Sequence, residues 1–283
     1  MPGNDVVSGH GEPHGSDEHD LGLAHDLAVL TGASGSAPAV EGKRVDRRRA
    51  LGLVGGGAAA ALVLAACRVP TTGGGYAATP PEIAGPFPAD GSNGPNVLPL
   101  GGIVRRDIRP SFGTASGDAT GVPLTVQMRI TDVSNHNLVR PGAAVYVWHC
   151  DQLGRYSLYS PGVTDQNYLR GVQVADAGGL VTFITTFPGC YPGRWPHIHF
   201  EVYPDLAHAQ VADSLLLTSQ LALPQAACAA VYATAGYTGA ASNLAGIPIE
   251  NDLVFRDGWS HEMAAVTGDA QHGFRGSLVV AVP

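Results

Sequence analysis

Residues 124–131 alternate without a break: Leu124, Val126, Met128 and Ile130 are apolar, while Thr125, Gln127, Arg129 and Thr131 are polar. A repeat of two fits a strand with one buried and one wet face, and does not fit a helix, whose faces recur every 3.6 residues. Residues 143–149, 180–187, 197–203 and 277–282 read as further strands. With 38 Gly and 21 Pro, turn formers are dense enough to favour short strands and long loops over helices. One short helix is expected from Pro224, in its first turn, to about residue 233. Hydrophobic residues, 45% of the chain, supply a sizeable core. The expected class is mostly β: an antiparallel β-sandwich with long loops and a short helix.

The N-terminal quarter has a different composition. Residues 1–46 are polar and Gly-rich, with His10, His14, His19 and His25 at irregular spacing, and read as a disordered leader rather than a metal-collecting tract. Arg47-Arg48-Arg49 follows, then an uncharged run ending in Leu64-Ala65-Ala66-Cys67. A basic stretch, a short apolar run and small residues before a cut describe an export signal. The paired arginines resemble a twin-arginine signal, and Leu-Ala-Ala-Cys resembles a bacterial lipobox, whose cysteine, here Cys67, is lipidated. The rival reading is a transmembrane anchor, but the run of about 17 residues is at the bottom of the spanning range and mostly Gly and Ala. The expected organisation is a leader (1–46), a signal (47–67), a flexible linker (68–79) and one folded domain (80–283), exported and held to the membrane through Cys67. A net charge of -8 gives no electrostatic case for nucleic acid. Cys150, Cys190 and Cys228 fall in the domain, so at most one pair forms within the chain, and which one stays open.

Chemistry concentrates in Trp195-Pro196-His197-Ile198-His199-Phe200. On a strand, His197 and His199 project from one face while Ile198, Phe200 and Val202 face the core. Two histidines on one face make half a metal site, or simply a polar face. Two tyrosines raise the first reading. Tyr191 lies six residues before His197 in the Pro- and Gly-rich stretch Phe187-Pro188-Gly189-Cys190-Tyr191-Pro192-Gly193-Arg194, and Tyr156 follows the second strand in Gly154-Arg155-Tyr156-Ser157. A phenol, with a pKa of about 10, ligates at neutral pH only where a strongly Lewis-acidic cation holds it as phenolate. Two Tyr with two His therefore suit hard ferric iron better than zinc or copper. A zinc or copper site using His197, His199 and His149, or a metal-free extracytoplasmic binding module, are the alternatives.

These pieces, together with Val145-Tyr146-Val147-Trp148-His149, Leu169-Arg170-Gly171-Val172-Gln173 and Glu82-Ile83-Ala84-Gly85-Pro86-Phe87-Pro88, resemble the intradiol ring-cleavage dioxygenases, the family of catechol and protocatechuate dioxygenases. The likeness covers roughly residues 80–205; the remainder is similar only to an exported actinobacterial subgroup. It implies an Fe(III) cofactor held by Tyr156, Tyr191, His197 and His199. Tyr156 and His197 stay in place, Tyr191 is the axial ligand that leaves when a catechol chelates the iron, and His199 is the axial ligand opposite. Arg194 lies beside the substrate, and Phe87 and Gln173 are expected to contact it. The partners implied are a catechol-type aromatic diol and O2, the product a cis,cis-muconate-type diacid. The chemistry of the side chains agrees: a departing tyrosinate is a base, and a guanidinium is a permanent positive charge. His149 is read as structural rather than as a fifth ligand. A homo-oligomer is compatible with the sequence, which does not fix the oligomeric state.

Overall fold

The alternating run forms β1 (Pro123–Asp132), and Leu124, Val126, Met128 and Ile130 are each at most 2% exposed. The computed structural model describes residues 76–283; the expected leader, the signal with Cys67 and most of the linker lie outside the described residues. β1 pairs antiparallel with β2 (Leu138–Val139) and with β5 (Leu180–Thr186). Its other neighbour, β9 (Gly273–Val282), runs parallel to it and pairs antiparallel with β8 (Ala265–Asp269). The second sheet is antiparallel throughout, in the order β4 (Arg170–Val174), β3 (Ala144–Trp148), β6 (His197–Tyr203), β7 (Leu217–Ala222).

The expected sandwich is present, with one departure in strand direction at β1–β9. Alternation fixes which face of a strand is buried; it says nothing about which distant strand lies alongside. Strands β2, β4, β7 and β8 were not expected, because their short mixed sequences carry little periodicity. The helix after Pro224 is α2 (Gln225–Tyr232), with the proline as its N-cap rather than its first residue. It lies between two unexpected six-residue helices, α1 (Leu206–Val211) and α3 (Ala240–Ala245), each too short to show a helical period.

The two sheets differ in how they are covered. All seven residues of β6 are buried, whereas β1 alternates. One face of the second sheet packs Val145, Val147, Ile198, Phe200 and Val202 into the core shared with Val126 and Met128. Its other face carries Tyr146, Trp148, Val172 and Tyr203 in a second cluster with Tyr156 and Tyr191. That cluster is roofed by a segment without regular secondary structure, from which Ala89, Val97, Leu98 and Ile103 are buried. At about 1.5–3 kcal/mol per buried Val, Leu or Ile side chain, this burial contributes to holding the irregular segment in place. The roofed outer face is where the candidate site lies.

Candidate metal centre

Two loops bring the tyrosines together. After β3 the chain loops out and returns at β4, and Asp151, 3% exposed, organises its first turn. The Asp151 carboxylate accepts from the amides of Leu153 (2.9 Å) and Arg155 (3.0 Å), from Arg155 Nε (2.9 Å) and from the Tyr168 hydroxyl (3.1 Å). The Tyr191 loop, between β5 and β6, packs on this turn backbone to backbone: the Gly189 amide donates to the Asp151 carbonyl at 3.0 Å. A Cβ at Gly189 would lie 2.7 Å from the Gln152 carbonyl oxygen. One at Gly154, whose φ is +79°, would lie 3.0 Å from Tyr191 Cβ. Glycine at these two positions is what permits the approach.

The result is a tight convergence on the outer face of β6. Tyr156 Oη lies 3.4 Å from both Tyr191 Oη and His197 Nε2. His197 Nε2 lies 3.2 Å from Tyr191 Oη and 3.1 Å from His199 Nε2. Ligand bonds of about 2.0–2.2 Å put neighbouring donor atoms roughly 3 Å apart, so this spacing fits a coordination shell. His197 Nδ1 donates to the Trp195 carbonyl, which turns the Nε2 lone pair inward. His199 Nδ1 is buried without a hydrogen-bond partner; its ring is held by stacking on Trp148, with centroids 5.0 Å apart and planes 5° from parallel. Burial, reinforced by Arg194, lowers the pKa of His197 to about 3, and burial with His197 holds His199 well below 6.5. Both imidazoles are therefore neutral at pH 7, the form that ligates a metal. Among the described residues, no group of three or more His, Cys, Asp or Glu side chains could hold a metal ion. A metal at this point would have to draw on the tyrosines.

Arg194, 1% exposed, lies between Tyr191 and His197 in sequence, and its charge acts on both His197 and His199. Its Nε donates to Asp252 Oδ2 at 3.0 Å and its Nη2 to Gln220 Oε1 at 2.7 Å. Gln220 is the register partner of His199 on β7 and donates in turn to the Ile83 carbonyl at 2.9 Å. Burial alone would raise the Asp252 carboxyl, but Arg194 and the Trp195 amide outweigh it and hold it below the usual carboxylate range.

Comparison with known proteins bears on this site directly. Residues 110–211 match the protein-family model described as Dioxygenase. A chlorocatechol 1,2-dioxygenase of Rhodococcus opacus is 31% identical over 117 residues, 40% of this chain; the matched stretch spans 39% of that relative's length. An intradiol ring-cleavage dioxygenase of Tetranychus urticae shares the fold with a TM-score of 0.56, at 23% identity over 73% of this chain and 95% of that one. The family model and the Rhodococcus opacus relative both point to the intradiol ring-cleavage dioxygenases, and the Tetranychus urticae protein shares the fold. The matched residues 110–211 contain Tyr156, Tyr191, Arg194, His197 and His199, while Phe87, Gln220 and Asp252 lie outside them.

The other expected residues separate. Phe87 reaches the site, its ring 5.1 Å from that of Tyr156. Gln173 does not, which corrects the expectation that it contacts substrate. Its register partner is Val145, on the core face, and its amide donates to the Val172 carbonyl at 3.3 Å. Neighbours on a strand point oppositely, and Val172 takes the site face. His149 bonds the Cys150 carbonyl (2.8 Å) and Thr185 Oγ1 (2.7 Å), away from the other two histidines. Cys150, Cys190 and Cys228 are buried free thiols. Sequence reasoning missed Asp151, Arg170, Gln220 and Asp252. Asp151 had a local signal, the Asp-x-x-Gly turn pattern; Asp252 had none, since its partner is distant in the chain.

Proposed function

We propose that this dioxygenase uses ferric iron to open a catechol-type ring between its two hydroxyl-bearing carbons, consuming O2 and yielding a cis,cis-muconate-type diacid. The convergence of two phenols and two neutral imidazoles at 3.1–3.4 Å carries the reading. Two phenolates contribute two negative charges, which a trivalent cation neutralises with one positive charge to spare for an incoming catecholate. Tyr156, Tyr191, His197 and His199 would hold the iron, which supplies the Lewis acidity that draws electron density out of the bound diol.

The chain's own groups do the rest. Tyr191, at the corner of a Pro- and Gly-rich loop, swings away without disturbing a sheet, and its phenolate oxygen takes a proton from the incoming diol. Tyr156 stays, fixed by the Asp151-organised turn and by Phe87. Arg194 presents a charge that cannot be lost to the ring carbon on which negative charge develops. Asp252 and Gln220 keep that guanidinium in one orientation. The roof over the outer face excludes water, which strengthens each of these interactions.

The test is oxygen uptake by purified, iron-loaded protein against catechol, protocatechuate and hydroxyquinol, with the products identified. Stoichiometric O2 consumption with a muconate-type product is expected. No uptake with any diol, or a product cleaved outside the two hydroxyls, refutes the reading. Location is a separate proposal: the arginine run and the Leu-Ala-Ala-Cys sequence support an exported protein anchored through Cys67.

A further inference from the structure

Arg170 is 1% exposed and shares the outer face of the second sheet with its register partner Trp148. Its guanidinium donates to five oxygens, all neutral. Nε reaches Ser157 Oγ (3.0 Å) and Nη2 the Ser157 carbonyl (2.9 Å). Nη1 reaches the Phe87 carbonyl (2.9 Å), the Pro88 carbonyl (2.9 Å) and Tyr146 Oη (3.3 Å). A cation removed from water is costly unless oriented groups replace its hydration. Here the replacement comes from two chain segments some 70 residues apart in sequence, the roof and the Tyr156 loop, together with β3.

The backbone around this contact is unusual in a second, independent way. Leu158 and Leu169 have φ of +73° and +58°, values that bulky residues rarely adopt. Leu158 follows Ser157 and Leu169 precedes Arg170, so the two strained positions bracket the contact. Ser157 Oγ also donates to the Tyr168 carbonyl at 2.7 Å. Backbone in such a region persists only where its surroundings over-determine it, and such positions cluster at functional sites.

Both segments touch the candidate centre. Phe87 packs on Tyr156 at 5.1 Å and on Tyr159 at 4.9 Å, and the Tyr159 hydroxyl accepts from the Ala89 amide at 3.0 Å and donates to the Asn93 carbonyl at 2.9 Å. We propose that Arg170 is a positioning residue that locks the Phe87–Pro88 stretch of the roof to the Tyr156 loop, so that the Phe87 side of the site and the Tyr156 phenol share one fixed geometry. The functional consequence rests on the reading of Tyr156 as an iron ligand; the lock itself does not.

Hydrogen exchange on the full chain tests it. The Ala89 amide reports on the roof, and the Tyr156 amide, which donates to Ser160 Oγ at 2.9 Å, reports on the loop. In Arg170→Lys, which keeps the charge but loses the planar fork, both should exchange about tenfold faster or more, while Val126 in β1 keeps its wild-type rate. Wild-type rates at both amides, or acceleration at one alone, overturns the lock. Should Arg170→Lys fail to fold, Ser157→Ala removes one of the five acceptors of Arg170, along with the bond to the Tyr168 carbonyl, and should give the same paired rise at smaller size; an unpaired or absent rise again overturns it. On loading with ferric iron, the visible tyrosinate band of Arg170→Lys should be displaced from that of the wild type, a signature that mere loss of stability does not move. A colourless iron-loaded wild type refutes the dioxygenase reading instead, and the exchange rates still decide the lock.

Discussion

Arg194 and Asp252, 58 residues apart in the sequence, form an ion pair at 3.0 Å in which neither side chain is exposed to solvent. The same carboxylate accepts from the Trp195 amide at 2.6 Å and the Val254 amide at 2.8 Å. One acid thus fixes the stretch between Tyr191 and His197 and ties it to the C-terminal region.

Removing one partner of such a pair strands a buried charge, which costs about 3–5 kcal/mol. Asp252→Asn should therefore lower the urea midpoint by that equivalent with an unchanged m-value. The pH dependence has a definite sign. The Asp252 pKa is depressed in the folded chain, so its contribution is present above the unfolded value of about 3.9 and lost as pH falls below it. Wild type should show this acid loss, and Asp252→Asn should show less of it. Equal midpoints at pH 7 would mean the pair contributes nothing.

The two tyrosines should separate under substitution. Tyr156→Phe removes a permanent donor, so iron retention should weaken and the visible band should change. Tyr191→Phe should keep more iron and still bind catechol, yet turn over about 10²–10⁴-fold more slowly for want of the base. Anaerobic catechol titration followed by visible spectroscopy distinguishes the cases. As a reference, His197→Ala and His199→Ala should each lose most bound iron. A Tyr191→Phe variant that reacts at the wild-type rate sinks the assignment.

Glu262 is fully buried, and burial followed by Glu82 and Asp257 pushes its carboxyl up to about 9. A raised acid pKa in the folded state stabilises below the unfolded value of about 4.3, and that stability is lost progressively as pH rises towards 9. Glu262→Gln keeps the shape and removes the titration. Its Tm should exceed that of the wild type increasingly from pH 5 to pH 8, by at least about 2–4 °C at the upper end, the equivalent of roughly 1 kcal/mol. Parallel melting profiles across that range would show that Glu262 does not titrate as argued.

The anchoring proposal has its own test. Cys67→Ser should shift the protein out of the membrane fraction or leave it unprocessed. A variant that fractionates and migrates like the wild type removes the lipid anchor while leaving the iron chemistry untouched.

Much of the site was legible because its signals are local. The alternation over residues 124–131 gave the buried face of β1, and His197-Ile198-His199 placed two imidazoles on one face opposite Ile198, Phe200 and Val202. Pro and Gly around Tyr191, and the turn before Tyr156, marked two loops able to aim a side chain. These are properties of contiguous residues, set by strand pleat and turn sterics before any distant segment arrives. What the tertiary structure decided is of another kind: the parallel neighbour of β1, the exclusion of Gln173 from the site, the carboxylate that holds Arg194, and the two segments gathered by Arg170. Each depends on which segments lie side by side and in which register. Register is chosen by the packing of whole faces against one another, and a shift of one residue would send every side chain to the opposite face. No local pattern carries that choice, so Asp252 and Arg170 read in the sequence as ordinary charged residues and become site residues only when the sheets close.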